Sequence, residues 1–481
     1  MSPKRTLPDL GVLWETLHHH AQFETERSYI PGMMSISPTS AGDSTSQRGR
    51  WPIAFLLAFG VIINFFDRIN LSVSQEALHA SFGLSLISFG YLASAFSWSY
   101  AAMQVPAGLL LDRLGVRRVG RITTFLWSVA SFCAALSTGL VGLFAARLLL
   151  GVAESPTFPA NAKAIGLWFQ ERERSLAIAV TDAAAKLSSA IGVPLIGILL
   201  LHFGWRWSFA ATGFFSLIYF GLFCRVYRDP VEGHSPPAEQ SASPAHGNAR
   251  QNIPARVAQQ GLMRYLLRLW QKSSLRYLLR QPKVYGLAIG WGAYNYSFFL
   301  LLNWLPTYLS ITLHVDLLHS VFYTSVPWLF AAITDFVVGG WLVDFLIQRG
   351  SNPTRVRQTV LLIGTGLGLA IWGAGRAQSP AAALIWISIA LGGLAAAAPV
   401  AWTVPSLIAP QGAVGTVGGL ANFCGQLSAI SAPIVTGYIV SATHSFAAAF
   451  AIATAVLLLG IASYALLLGR MERIPEPPLA A

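Results

Sequence analysis

Six ionisable residues sit inside runs that are otherwise apolar: Asp67, Arg68, Arg147, Glu154, Asp182 and Lys186. A charge in hydrocarbon costs at least a few kcal/mol, so it persists where it has a partner or meets a water-filled cavity. A carboxylate in such a cavity can bind and release a proton. Asp67 and Glu154 fit that work. A guanidinium stays charged and holds a carboxylate with paired hydrogen bonds, which suits Arg68 to binding an organic anion. At 1.5 Å per residue, Asp67 lies about 22 Å into its segment and Arg147 about 12 Å into a segment entering from the opposite side. In a core about 30 Å thick these depths nearly coincide, so an Asp67–Arg147 salt bridge is expected. Glu154 follows Arg147 by seven residues and shares its helix face. The alternative role for the whole set is to hold helices together as ion pairs.

Asp182 and Lys186 are four apart in the order that favours an intrahelical pair. Lys186 could equally supply a second positive charge to a substrate carboxylate. Asp335 has no partner in the sequence. Neutral polar and aromatic residues also fall inside apolar runs: Tyr100, Asn295, Tyr296, Asn303, Trp304, Trp402, Thr403, Ser406, Asn422 and Gln426. Singly they can bond between helices. As a set they could line a cavity for a hydroxylated molecule. No nucleophile–base pair and no metal-ligand set is present. Cys133, Cys224 and Cys424 lie in apolar runs as small core residues. An enzyme is therefore not expected, nor a cofactor or metal.

The elements that must position these residues follow from composition. The chain has 481 residues, 54% hydrophobic and 11% charged, with mean hydropathy +0.55. A soluble chain is about a quarter charged, so this one needs a lipid bilayer as its solvent. Apolar runs predict twelve spans: 52–75, 86–110, 119–137, 140–164, 175–201 and 209–226, then 284–310, 318–343, 359–376, 382–408, 414–440 and 446–469. The class is an all-α membrane protein. Net charge is +12; the basic residues collect in alternate loops, which assigns them to the cytoplasmic side with both termini rather than to nucleic acid. Residues 1–50 read as a disordered cytoplasmic tail without a secretory signal. Residues 51–226 read as one six-helix bundle and 284–470 as another, with a tail at 471–481. The linker 227–283 is Pro/Ser/Ala-rich at first, then basic and amphipathic through Arg264, Arg268, Trp270, Arg276 and Arg280, as for a helix on the inner leaflet.

The halves echo each other. Gly108-Leu-Leu-Leu-Asp112-Arg113 follows the second span, and Gly340-Trp-Leu-Val-Asp344 follows the eighth. Repeats of this kind put a binding site between the halves, near the midplane.

The loop from Gly108 to Arg118 resembles the conserved loop of the major facilitator superfamily, whose Asp and Arg residues latch helix ends at the cytoplasmic gate. Asn64-Phe-Phe-Asp67-Arg68, and the run from Arg147 through Gly151, Glu154, Pro156 and Pro159 to Asn161, resemble the anion:cation symporter family within it. Trp168-Phe169, Trp205-Arg206, Trp304-Leu-Pro306 and Thr436-Gly437 extend the likeness over roughly residues 51–470. The resemblance implies the major facilitator fold, two six-helix bundles with pseudo-two-fold symmetry, and inner-membrane import of organic anions, often sugar acids, with protons. It implies proton coupling at Asp67, Glu154 and Arg147, and substrate binding at Arg68, Tyr100 and Asn422. Lys186, Asn295 and Ser406 join the expected substrate site, and Gly108, Asp112, Arg113 and Asp344 the expected cytoplasmic gate. A monomer is expected. Two departures, Phe65 for Tyr and Ala183-Ala-Ala185 for Ser-Gly-Gln, open the substrate to a less hydroxylated anion, aromatic or dicarboxylic. Sodium coupling, exchange and a non-transporting receptor remain alternatives.

Overall fold

The computed structural model describes residues 50–169, 171–229, 273–410 and 413–476. The side chains of Asp112 and of residues 171–175 lie outside the described set, as does most of the predicted linker. The described residues of Arg50–Ala481 form one compact unit.

The first half comprises α1 (Arg50–Val73), α2 (Gln75–Phe82), α3 (Leu86–Ala135), α4 (Leu140–Glu154), α5 (Thr157–Trp168) and α6 (Glu171–Val226). A short α7 (Ser273–Leu278) leads into the second half. That half comprises α8 (Pro282–Leu313), α9 (Leu317–Thr334), a π-helical stretch at Asp335–Leu342, α10 (Val343–Gln348), α11 (Pro353–Leu367), α12 (Ile371–Ala374), α13 (Pro380–Ile408), α14 (Val414–Thr443) and α15 (Phe446–Ala462). A π-helical stretch at Ser463–Leu468 follows α15.

Leu86–Ala135 and Glu171–Val226 are each two helices joined at a kink, spans 2 and 3 in the first and spans 5 and 6 in the second. Each turns at a single glycine: Gly115 at φ 74°, ψ 169° in α3, and Gly204 at φ 79°, ψ 170° in α6. That region belongs essentially to glycine. Counting each side of these turns, taking α4 with α5, α9 with α10 and α11 with α12, and leaving aside the short α2 and α7, the described residues make twelve helical runs, six before residue 230 and six after residue 272. Among the described residues, eight stretches pass as membrane-crossing by length and hydropathy alone. Leu86–Ala135 and Pro282–Leu313 fall outside that set. Their Ser, Tyr, Trp, Asn and Gly residues lower the average.

Local sequence explains several helix starts. The Ser85 hydroxyl accepts from Ser88 N at 3.1 Å. Asn352 accepts from Thr354 N and Arg355 N at 3.0 and 3.2 Å. Asn352-Pro353 and Ser379-Pro380 each combine a capping side chain with a proline whose missing N–H would be unpaired anyway. The outer face is apolar: Val141 is 85% and Leu466 81% exposed. Only lipid makes such a surface inexpensive.

Across the halves, α3 packs on α14, α6 on α9 and α1 on α8. The contacts concentrate at the end remote from Arg50. There Ser72 Oγ donates to the Asn303 carbonyl at 2.8 Å, Thr307 meets Gln75, and Phe89 lies edge-on to Trp304, centroids 4.9 Å apart. A Cβ on Gly90 would stand 2.6 Å from the Pro433 carbonyl, and one on Gly437 2.6 Å from the Leu86 carbonyl. Glycine therefore lets α3 and α14 touch backbone to backbone.

Candidate functional site

Below this closure the halves part around a cavity of about 350 Å³. Its walls carry Arg68 and Lys186 from the first half, and Trp291, Tyr294, Trp402 and Asn422 from the second. Phe158, Pro159 and Ala162 of α5 and Gly418 and Gly419 of α14 line it towards the end that holds Arg50.

Arg68 is its focus. Nε donates to Glu154 Oε2 at 3.0 Å, with the two side chains 7% and 0% exposed. The guanidinium carbon lies 4.4 Å from the Phe96 centroid, 4.8 Å from Phe65 and 5.5 Å from Tyr100. Desolvated cation–π contacts of this kind contribute up to about 2 kcal/mol. They fix the guanidinium plane against the cavity wall. Arg68 Nη2 and Glu154 Oε1 are buried without a hydrogen-bond partner among the described residues. Phe65, the departure from Tyr noted in the sequence, is thus part of the aromatic holder of Arg68.

The expected Asp67–Arg147 salt bridge takes another form. Arg147 Nη1 donates to the backbone carbonyl of Asp67 at 3.1 Å. The Asp67 carboxylate instead accepts from Ser131 Oγ at 2.6 Å and Ser216 Oγ at 3.1 Å. The depths matched, but the hydroxyls of α3 and α6 reach the carboxylate first. Neither Asp67 nor Glu154 lines the cavity; Glu154 reaches it through Arg68.

Lys186 makes the expected bond to Asp182 Oδ2, at 2.7 Å, and a second contact that spacing could not reveal. Its Nζ lies 3.2 Å from Asp335 Oδ2, across the boundary between halves. Asp335, partnerless in the sequence, is therefore paired.

Tyr100, Asn295 and Asn422 line the cavity. Asn295 Nδ2 donates to the Trp291 carbonyl at 2.8 Å. Ser406 does not line it: this exposed hydroxyl bonds back to the Thr403 carbonyl at 2.7 Å, as helical serines often do. At the expected gate, Arg113 and Asp344 are exposed and no Cβ clash constrains Gly108. Lys163 Nζ, unremarked in the sequence, donates to the Leu111 carbonyl at 2.9 Å, binding α5 to α3 there. Sequence reasoning also missed the aromatic wall. Trp291, Tyr294 and Phe298 recur at i, i+3 and i+7, a helical stripe that was visible. The Tyr294 ring is stacked on Trp291 and on Phe298, at centroid distances of 4.8 and 5.8 Å.

Comparison with known proteins gives three kinds of match. Residues 57–433 match the Major Facilitator Superfamily. Among curated proteins, the uncharacterized transporter YybO of Bacillus subtilis (strain 168) is 37% identical, over 88% of this chain and 95% of its own length. The D-galactonate transporter of Escherichia coli O6:H1 is 30% identical, over 89% and 97%. Among solved structures, a bacterial homologue of the human lysosomal transporter Spinster, inward-facing and unoccupied, superimposes with TM-score 0.68 at 16% identity, covering 89% of this chain and 98% of that one.

Proposed function

As this chain belongs to the Major Facilitator Superfamily, and is a multi-pass membrane transporter rather than an enzyme, we propose that it imports an organic carboxylate, a sugar acid in the first instance, together with protons. The observation that carries this reading is the Arg68–Glu154 pair. A cation on the cavity wall is held by a fully buried carboxylate, and each has one polar atom unpartnered. Protonation of Glu154 removes the counter-ion of Arg68. An incoming carboxylate then replaces it, with Nη2 free to complete a two-point grip. Loss of the proton returns Arg68 to Glu154 and expels the anion. Asp67, cradled by Ser131 and Ser216 one residue away, is the second proton carrier. The name of the D-galactonate transporter supports the substrate class.

In this reading the end bearing Arg50 is cytoplasmic, the membrane is the inner membrane, and the cavity faces inward. The bundles 51–226 and 284–470 rock about it in a monomer. Coupling requires that proton and anion change the relative stability of the two access states. The ring-lined wall favours a second substrate reading, an aromatic carboxylate.

The test is uptake of labelled galactonate and benzoate into proteoliposomes under an imposed pH gradient. Arg68→Ala should abolish uptake. Glu154→Gln should keep exchange of anion for anion but lose accumulation. Undiminished accumulation by Glu154→Gln would reject the proton role.

A further inference from the structure

The Lys186–Asp335 contact repeats the logic of Arg68–Glu154 on the other side of the same cavity. In each pair a cation lines the wall. In each, a carboxylate stands behind it, off the lining and at most 1% exposed. In each, one carboxylate oxygen is buried without a partner among the described residues: Glu154 Oε1 and Asp335 Oδ1. The second pair differs in joining the halves, Lys186 on α6 and Asp335 at the start of the π-helical stretch. Such wide turns often occur at working sites.

Charge adds to the case. Lys186 faces two carboxylates, Asp182 at 2.7 Å and Asp335 at 3.2 Å. With all three ionised the group is one negative charge in surplus, within a membrane-spanning interior. The other titratable group near it is Tyr294 of α8. The neighbouring α13 has no titratable residue, and Asp344 of α10 is exposed. Arg68 of α1, on the same cavity, is engaged by Glu154, and taking up a proton would remove the surplus.

We infer that Lys186 and Asp335 form a second proton-gated subsite for an anionic group, and that the transported molecule carries two acidic groups, one for Arg68 and one for Lys186. The step balances. One proton adds to the Asp335 carboxylate, giving the neutral acid; the Lys186–Asp335 ion pair breaks; a substrate carboxylate becomes the new partner of Lys186. Net charge at Lys186 is the same before and after. Because the broken pair spanned the halves, the same proton loosens them. This rests on the transport reading above and extends it to a second site.

Two measurements on the full-length purified protein test it. The first is affinity by thermal shift for matched probes: benzoate against terephthalate, and galactonate against galactarate. The dicarboxylate of a pair should bind about tenfold more tightly, the worth of one added charge-assisted contact, and Lys186→Ala should erase that margin, read as the ratio of the two affinities within the variant. Equal affinity within both pairs, or a margin that survives Lys186→Ala, overturns the inference alone. Failure of all four to bind overturns the transport reading with it. The second is infrared titration of buried carboxylic acids. A protonated-acid carbonyl band should vanish in Asp335→Asn and persist in Glu154→Gln. An Asp335→Asn spectrum identical to that of the unaltered protein overturns the proton site, and Asp335→Glu should restore the band.

Discussion

Arg147 holds Asp67 by its backbone: the guanidinium donates to the Asp67 carbonyl at 3.1 Å, while Ser131 and Ser216 take the carboxylate. The helix is thereby anchored independently of the protonation state of the side chain it presents. A salt bridge would have tied the two together.

That arrangement separates two substitutions. Arg147→Gln keeps an N–H donor for the carbonyl, whereas Arg147→Ala deletes this bond from a charged donor, at a cost of about 1.5–3 kcal/mol. Thermal unfolding in detergent should give a clearly lower Tm for Arg147→Ala than for Arg147→Gln. Equal losses would mean that charge, not the hydrogen bond, is what Arg147 supplies.

Gly151 sets the distance between α4 and α3. A Cβ there would stand 2.2 Å from Ser99 Oγ and 2.3 Å from the Phe96 carbonyl. The carbonyl is backbone and cannot swing away. Gly151→Ala should therefore destabilise by about 1–3 kcal/mol and displace Phe96 from Arg68. Detergent-extracted yield and Tm would both fall, and anion affinity with them.

Gly437 acts on conformation more than on stability. Its missing Cβ permits contact with Leu86, a contact between halves. Gly437→Ala should penalise the closed outer end by about 1–3 kcal/mol, a shift of roughly fivefold to a hundredfold in the two-state ratio. With Cys133, Cys224 and Cys424 replaced, a Ser72→Cys probe should be alkylated faster from the outer side. An unchanged rate would show that this contact does not control opening.

Asp316 gives a prediction in pH. It caps α9 outside the membrane-spanning runs, and its hydrogen bond with His319 holds its carboxyl below the usual carboxylate value. A lowered native value means that the ionised form is favoured on folding. Its stabilisation is then present above the ordinary carboxylate range and lost as pH falls through the native value. Asp316→Ala should lower Tm slightly at neutral pH, and the difference should close on acidification. A gap that is constant with pH would remove ionisation from the explanation.

Much of this was legible in the chain. A charge in an apolar run is conspicuous because hydrocarbon tolerates so few, so Asp67, Arg68, Arg147, Glu154 and Lys186 declared themselves. Depth arithmetic brought Arg147 level with Asp67. It could not say which oxygen would be met, because the rival donors Ser131 and Ser216 lie 64 and 149 residues away and look like ordinary small residues. Asp335 was invisible as a partner for the same reason: only the packing of α6 on α9 puts it beside Lys186. Ser406 misled because a serine in a helix can satisfy itself on the preceding turn. The tightness of the turn between spans 2 and 3 was hidden because Gly115 reads as one residue of a longer loop, whereas here it turns the chain almost alone.

The eight residues from Asp335 to Leu342 are wound more widely than an α-helix. Such a stretch stores slack, a little more chain than its rise requires. An α-helix over the same eight residues, at about 100° per residue, would end in a different phase, so the wide winding sets the direction of the Asp344 end relative to the buried Asp335. Excising one residue there would take up the slack and let ordinary winding return with the two ends still nearly aligned.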